Sequence, residues 1–206
     1  MTQRTGELAE HIITRAGAAK RFLVAIAGPP GSGKSTLAEE IAGELAARGE
    51  SAAVVPMDGF HMDNAVLEEK RLLERKGAPQ TFDIRGLLDI LKALHQGDEE
   101  VLVPLFDRAR ELSIAAARAV PLHTRFILIE GNYLLLDEPG WMDLAEAIDL
   151  SVMLAPPENI LEERLLRRWL DLSLAPDTAR EKVVQNDLPN GRLVRTRSRK
   201  ADVTLC

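Results

Sequence analysis

The sequence predicts an α/β fold: a three-layer sandwich whose mostly parallel sheet carries helices on both faces, with a helical lid at one end. Three observations predict it. Near-continuous apolar runs at 21–27, 125–131 and 147–154 have the length and β-branched content of strands buried on both faces. Segments with helical apolar spacing separate them, the rhythm of parallel strands joined by crossover helices. The third is the stretch Gly28-Pro-Pro-Gly-Ser-Gly-Lys-Ser35, set between the first apolar run and a helix on which Leu37, Ile41 and Leu45 share a face. It fits GxxxxGK[ST] at every fixed position, so the three-layer sandwich is of the P-loop NTPase type.

The elements follow in order. Residues 5–19 read as an amphipathic helix leading into the first strand, and 52–57 as a short strand ending at Asp58-Gly59. A charged helical stretch at 65–76 precedes a Gly77-Ala-Pro-Gln turn. The next helix follows Asp83, with Leu87, Leu88, Leu91 and Leu94 as its apolar face, and a short strand falls at 101–103. After the strand at 125–131 come the strand at 147–154, a helix from Pro157 to about Leu172, another from Asp177, and a closing strand at 201–205. The 206 residues form one domain, with 61–124 as an acceptor-site insertion and 157–192 as the lid region.

Composition narrows the function. The chain is 46% hydrophobic and 28% charged, with a net charge of −6, which argues against a polyanion as main partner. The one basic cluster, Arg192 to Lys200, reads as a solvated surface segment, with a phosphate-facing role as the alternative. A single cysteine, Cys206, allows neither an internal disulfide nor a thiolate zinc cluster. No signal peptide or bilayer-length apolar run occurs, so the expectation is a cytoplasmic protein without a membrane or nucleic-acid partner; a homodimer is allowed.

The chemistry centres on the loop. In Gly28, Pro29, Pro30, Gly31, Ser32, Gly33, Lys34, Ser35 and Thr36, backbone N–H groups converge on phosphate oxygens, Lys34 reaches the terminal phosphates and the Ser35 hydroxyl can hold Mg²⁺. Glu130, directly after an apolar strand, is placed as a second carboxylate for Mg²⁺. Asp58, at the end of the second strand, can accept the proton of an attacking hydroxyl; the alternative is a turn-forming Asp-Gly pair. Arg164 and Arg168, four residues apart, share a helix face and suit a lid over the transferring phosphate, with a Glu163–Arg167 pair as the plainer reading of this helix. His61, Arg108, Asn132 and the pairs Asn186-Asp187 and Asn190-Gly191 are weaker candidates for binding acceptor or nucleotide. Trp141 and Trp169 read as core or interface residues.

With these residues in place the chain resembles the phosphoribulokinase/uridine kinase-like P-loop kinases, a group that includes bacterial pantothenate kinase. The resemblance rests on 28–35, Met57-Asp-Gly-Phe-His61, Gln80-Thr-Phe-Asp83, Pro104…Phe106-Asp-Arg108, Ile129-Glu-Gly-Asn-Tyr133, the arginine helix and Ala201-Asp, spread over nearly the full length. The form of 57–61 and 130–133 is similar to small bacterial kinases labelled as fructose-transport or nucleoside-kinase-like. The resemblance implies ATP and Mg²⁺, a small-molecule hydroxyl as acceptor, Asp58 as general base, Arg164 and Arg168 as lid residues, and an acceptor pocket shaped by 61–110. A sugar is the first expectation for the acceptor and a nucleoside or vitamin such as pantothenate the alternative. The chain departs from pantothenate kinases in its shorter acceptor region. A GTPase is disfavoured because no Asn-Lys-x-Asp element follows the loop. A regulatory module without turnover is disfavoured because Lys34, Ser35, Asp58 and Glu130 are all kept.

Overall fold

The computed structural model describes residues 2–206. Five strands form a parallel sheet: β1 (Phe22–Ala27), β2 (Ala52–Pro56), β5 (Phe126–Gly131), β6 (Leu150–Leu154) and β7 (Val203–Leu205), in the order β2-β5-β1-β6-β7. Every residue of β1 and β5 is buried, and alternation of side chains splits each apolar run between two cores. Leu23, Ala25, Ile127 and Ile129 face one side with α4 (Ile84–Gln96) and the Tyr133, Trp141 and Leu144 region. Phe22, Val24, Ile26, Phe126 and Leu128 face the other with α1 (Thr2–Ala16) and α2 (Lys34–Ala47). The three-layer sandwich is therefore the one the sequence predicts.

Between β2 and β5 the structure differs from the sequence expectation in two places. The helix expected over 65–76 is α3 (Asn64–Glu69) only. It buries a single residue, Leu67, so no second apolar turn draws the helix onward. Arg71 takes a left-handed φ of 58° and the Leu72 N–H closes back on the Leu67 carbonyl. The strand expected at 101–103 continues as β3 (Val101–Asp107) and pairs antiparallel with β4 (Leu112–Val120), a hairpin the sequence reading lacks. Pro104 inside β3 and the alanine-rich text of β4 hide it. The ladder shifts register between Val103 and Leu105, which accommodates the proline.

The hairpin caps an open sheet edge. β2 is an edge strand, and Arg118 of β4 donates to the Val54 carbonyl at 2.6 Å. After β2 the chain makes a single 3₁₀ turn, Met57–Phe60, wedged between hairpin and sheet. A Cβ on Gly59 would overlap the Pro104 carbonyl, and one on Gly131 would overlap the Met57 side chain. Both contacts demand glycine because backbones or a buried side chain lie against them. Gly131→Ala is expected to cost about 1–3 kcal/mol through overpacking at this seam, read as a lower urea midpoint at unchanged m-value.

The lid region is helical: α5 (Glu158–Asp171), α6 (Pro176–Lys182), a π-helical turn at Val183–Asp187, and α7 (Leu188–Arg197). Leu161, Leu165, Val183 and Leu188 make a small core of their own there. Three of the basic cluster's five cations are engaged by neighbours: Arg192 pairs with Glu158 at 2.7 Å, Arg197 with Glu138 at 3.2 Å, and Arg195 donates to the Pro156 carbonyl. No described helix is long and apolar enough to cross a membrane.

Candidate active site

Strand β1 ends at the loop 28–33, and α2 starts at Lys34. Gly31 and Gly33 adopt φ values of 77° and 94°, which side-chain-bearing residues rarely reach. Gly33 caps α2 without a side-chain hydrogen bond, and the first turn holds no acid, so its N–H groups are left for an anion. The Lys34 ammonium is buried and donates to the Pro29 carbonyl at 3.0 Å. Burial lowers its pKa to about 8, against the opposing pull of Glu130 and Asp58. A phosphate in the loop would supply the missing counter-charge.

Two carboxylates face this loop from neighbouring strands. Glu130 is paired in register with Ile26 on one side and Pro56 on the other, and is buried. Burial and then the charge of Asp58 push its carboxyl up, while Lys34 and a hydrogen bond with Ser35 pull it down. Asp58 sits in the 3₁₀ turn after β2. Burial opposes its ionisation, but the charges of His61, Arg108 and Lys34 outweigh it and hold the carboxyl below the usual range. Arg108, at the end of the hairpin's first strand, reaches the Asp58 carboxylate at 2.6 Å. His61 Nδ1–H donates to the Asp58 carbonyl, 2.8 Å away, with its ring between Phe82 and Phe106 at 4.1 and 4.8 Å. Burial lowers the His61 pKa, so its imidazolium forms only in acid. Two carboxyls facing one loop are thus pushed in opposite directions.

These residues divide two adjoining cavities. A pocket of about 230 Å³ is lined by the loop, Lys34, Ser35, Thr36 and Glu130. A larger cleft of about 670 Å³ lies beside it, under the lid. Pro30, Asp58, Arg108, Asn132 and Arg168 line both, so the two communicate at Asp58. The arginines of α5 straddle the loop. Arg168 faces the junction, whereas Arg164 approaches the Gly31 and Ser32 carbonyls at 3.4 Å. Arg164 also lines a third cavity of about 390 Å³ on the far side of the loop, with Leu37, Leu154, Pro156 and Leu205. Among the described residues no ion pair joins Glu163 to Arg167, and Leu165 between the arginines packs on Gly31.

The structure brings the weaker candidates in as well. His61, Asn186, Asp187 and Asn190 all line the large cleft. Asn186 donates to the Lys76 carbonyl at 3.2 Å and Asn190 to Asn186 at 3.3 Å, which ties the lid to the 75–77 loop. The π-helical turn turns Asn186 and Asp187 toward this wall. The two tryptophans separate. Trp141 is buried against Tyr133 at 5.4 Å, as expected. Trp169 lines the cleft, its indole N–H donating to Asp187 at 2.7 Å, with the Lys182 ammonium 5.0 Å from its ring. Sequence reasoning missed Lys76, Glu181 and Lys182 on the cleft wall, because their membership depends on where the broken α3 helix and the π turn place them.

Among the described residues no group of three His, Cys, Asp or Glu could hold a metal ion. A hard cation at Ser35 and Glu130 would therefore complete its shell with phosphate oxygens and water, the habit of Mg²⁺ in phosphoryl-transfer sites. The buried Glu130 carboxylate and the adjacent Ser35 hydroxyl fit that role by donor type.

Comparison with known proteins yields consistent findings. The phosphoribulokinase/uridine kinase family model matches residues 23–171. A solved structure described as a "putative fructose transport system kinase" from Silicibacter sp. TM1040 superposes with a TM-score of 0.93 at 46% identity, over 98% of each chain. Protein YggC of Escherichia coli K12, itself uncharacterized, is 34% identical over 89% of this chain and 77% of its own length. Pantothenate kinase of Brucella ovis is 35% identical over 76% of this chain but only 44% of its own length.

Proposed function

The chain belongs to the phosphoribulokinase/uridine kinase family, and from that premise we propose that this ATP-dependent phosphotransferase acts on a hydroxyl of a small metabolite, a sugar first. One observation carries the proposal: Asp58, Arg108, Asn132 and Arg168 are shared between the phosphate pocket and the larger cleft. A terminal phosphate seated on Lys34 and an acceptor filling the cleft would meet beside a carboxylate. The cleft wall offers Asn132, Glu181, Asn186 and Asp187, groups that hydrogen-bond hydroxyls rather than clasp an apolar ligand.

In this reading the loop amides and Lys34 hold the phosphates, and Asp58 orients the acceptor hydroxyl and receives its proton. Arg168 neutralises charge on the moving phosphoryl group, and the lid excludes water that would otherwise be the acceptor. Ser35 and Glu130 would hold Mg²⁺, whose positive charge would offset that of the phosphates. The third cavity, with its apolar walls and Arg164, suits the nucleoside end of ATP. The partner is thus a small molecule, not nucleic acid or a membrane, and the setting cytoplasmic.

A nucleoside acceptor has one observation in its favour: the aromatic Phe106 and Trp169 line the cleft. A coupled assay of ADP release with Mg-ATP against sugars, nucleosides, pantothenate and glycerate decides between them. Sugar-stimulated release is the expected result. Stimulation only by a nucleoside would replace the sugar reading, and none by any acceptor would remove the kinase reading.

Lys34 adds a test that needs no acceptor. Its folded pKa of about 8 lies below the ordinary lysine value, and bound phosphates favour its charged form. Below pH 8 the free protein already carries the proton, so nucleotide binding is proton-neutral at this site. Above pH 8 binding must take up a proton, and affinity falls as pH rises. Calorimetry of ADP binding in buffers of differing ionisation enthalpy should show uptake at pH 9 and not at pH 7.

A further inference from the structure

Arg108 occupies an unusual position. Its guanidinium pairs at 2.6 Å with the Asp58 carboxylate, the group assigned above as base. The arginine does not belong to the strand that carries Asp58. It is delivered by the hairpin, which is seated on the Asp58 turn where Gly59 meets the Pro104 carbonyl and where the Ser113 hydroxyl donates to the His61 carbonyl at 3.1 Å. The Asp107 carboxylate accepts from the Ala109 and Arg110 N–H groups at 2.9 and 3.1 Å, which shapes the turn just beyond Arg108. The hairpin is thus fixed, while the arginine side chain is half exposed. Asp58 is about a quarter exposed, so its accessible face looks into the junction that Arg108 covers.

The guanidinium occupies one oxygen of the carboxylate, Oδ2, and competes there with an acceptor hydroxyl. The same guanidinium lines both cavities, within reach of acceptor and of the phosphate seat. It also stands close enough to Lys34 and Arg168 for the three like charges to disfavour one another, a cost that an incoming phosphate would relieve.

Resting on the kinase reading above, we infer that Arg108 is a latch on the base. In the free enzyme it holds Asp58 out of action, and when an acceptor hydroxyl takes its place on the carboxylate it turns to the transferring phosphoryl group. One movement then frees the base and supplies a cation to the transition state. The bonds balance in the ordinary way. The acceptor oxygen forms a bond to the γ-phosphorus and its proton passes to Asp58. The bond from that phosphorus to the bridging oxygen breaks, and the electron pair leaves on the β-phosphate of ADP. An acceptor held by the rest of the cleft displaces the guanidinium with the help of those further contacts, a lone water lacks them, and ATP is spared in the absence of acceptor.

The test is the ratio of acceptor-free ATP hydrolysis to acceptor phosphorylation in Arg108→Gln, Arg108→Lys and the double variant Asp58→Asn/Arg108→Gln. Hydrolysis needs only Mg-ATP, so this arm stands even where no acceptor has been found. Arg108→Gln is expected to raise hydrolysis relative to transfer at least tenfold, Arg108→Lys to restore much of the coupling, and the double variant to lose the leak because its base is gone. Three results overturn the latch. Hydrolysis and transfer falling in parallel would make Arg108 only a phosphate cation. A higher acceptor KM alone would make it only an acceptor ligand. A leak that persists without Asp58 would place the activating group elsewhere. Transfer absent in the wild type for every acceptor would instead strike the kinase reading, while the hydrolysis ratios between variants would still report on Arg108.

Discussion

Asp58→Asn is expected to lower turnover by about 10²–10⁴ while leaving ADP affinity within about twofold. The asparagine keeps size and shape but cannot receive a proton, and general-base catalysis contributes a factor of this order. Affinity is spared because the nucleotide is held by the loop, whose Lys34 and amides lie on β1 and α2 rather than on the turn after β2. Stability should change little. The Arg108 partner is half exposed, so the lost ion pair is largely screened by solvent. Steady-state kinetics with calorimetric ADP titration tests both halves. Normal turnover would move the base elsewhere, with His61 the adjacent group.

The second large effect is expected from Lys34→Ala. Turnover should fall by about 10²–10³ or more, the scale seen when one preorganised donor to a developing charge is removed. Nucleotide affinity should fall with it, since the same ammonium contacts ground-state phosphates. The unliganded protein should melt at the same or a slightly higher temperature. Lys34 is buried with no carboxylate within 4 Å among the described residues, so folding pays for its desolvation and recovers little. The sign for pH follows. Its folded pKa is depressed, so the penalty is full below about pH 8 and fades as pH rises toward the ordinary lysine value. Thermal scans of both proteins at pH 7 and pH 9.5 should converge at the higher pH. A Lys34→Ala protein as active as the parent would remove the loop from the mechanism.

How much of this was legible in the sequence depends on how local each signal is. The loop 28–36 reads directly, because its glycines, lysine and hydroxyl act through their own backbone and through the helix that follows. Glu130 and Asp58 read from position, since a parallel sheet sends the carboxyl ends of its strands to one rim. The arginine helix was visible as an i, i+4 pair, but not that Arg164 and Arg168 would fall on opposite sides of the loop. That depends on Leu165 packing against Gly31, a contact between residues 134 positions apart. The hairpin was illegible for a different reason. Its second strand is rich in alanine, which carries no strand preference, and only its last residue, Val120, is buried, while Arg118 on the Val54 carbonyl and Ser113 on the His61 carbonyl hold the rest. The union of Arg108 with Asp58 followed it out of view. The acceptor wall was hidden in the same way, because the π turn at 183–187 has no sequence signature and decides which of Asn186, Asp187 and Asn190 face the cleft.

The strand order has a consequence for how the molecule comes into being. β1, which ends in the phosphate loop, has no neighbour that is close in the chain. Phe22 aligns with Phe126 on one side and Val24 with Leu150 on the other. More than a hundred residues must be gathered before the central ladder can close, a topology that folds slowly. The phosphate seat is consequently among the last features to exist, and partly folded chains have nothing with which to grip a nucleotide. ATP should therefore act as a lock applied after assembly. It should slow unfolding by mass action and leave the refolding rate nearly untouched.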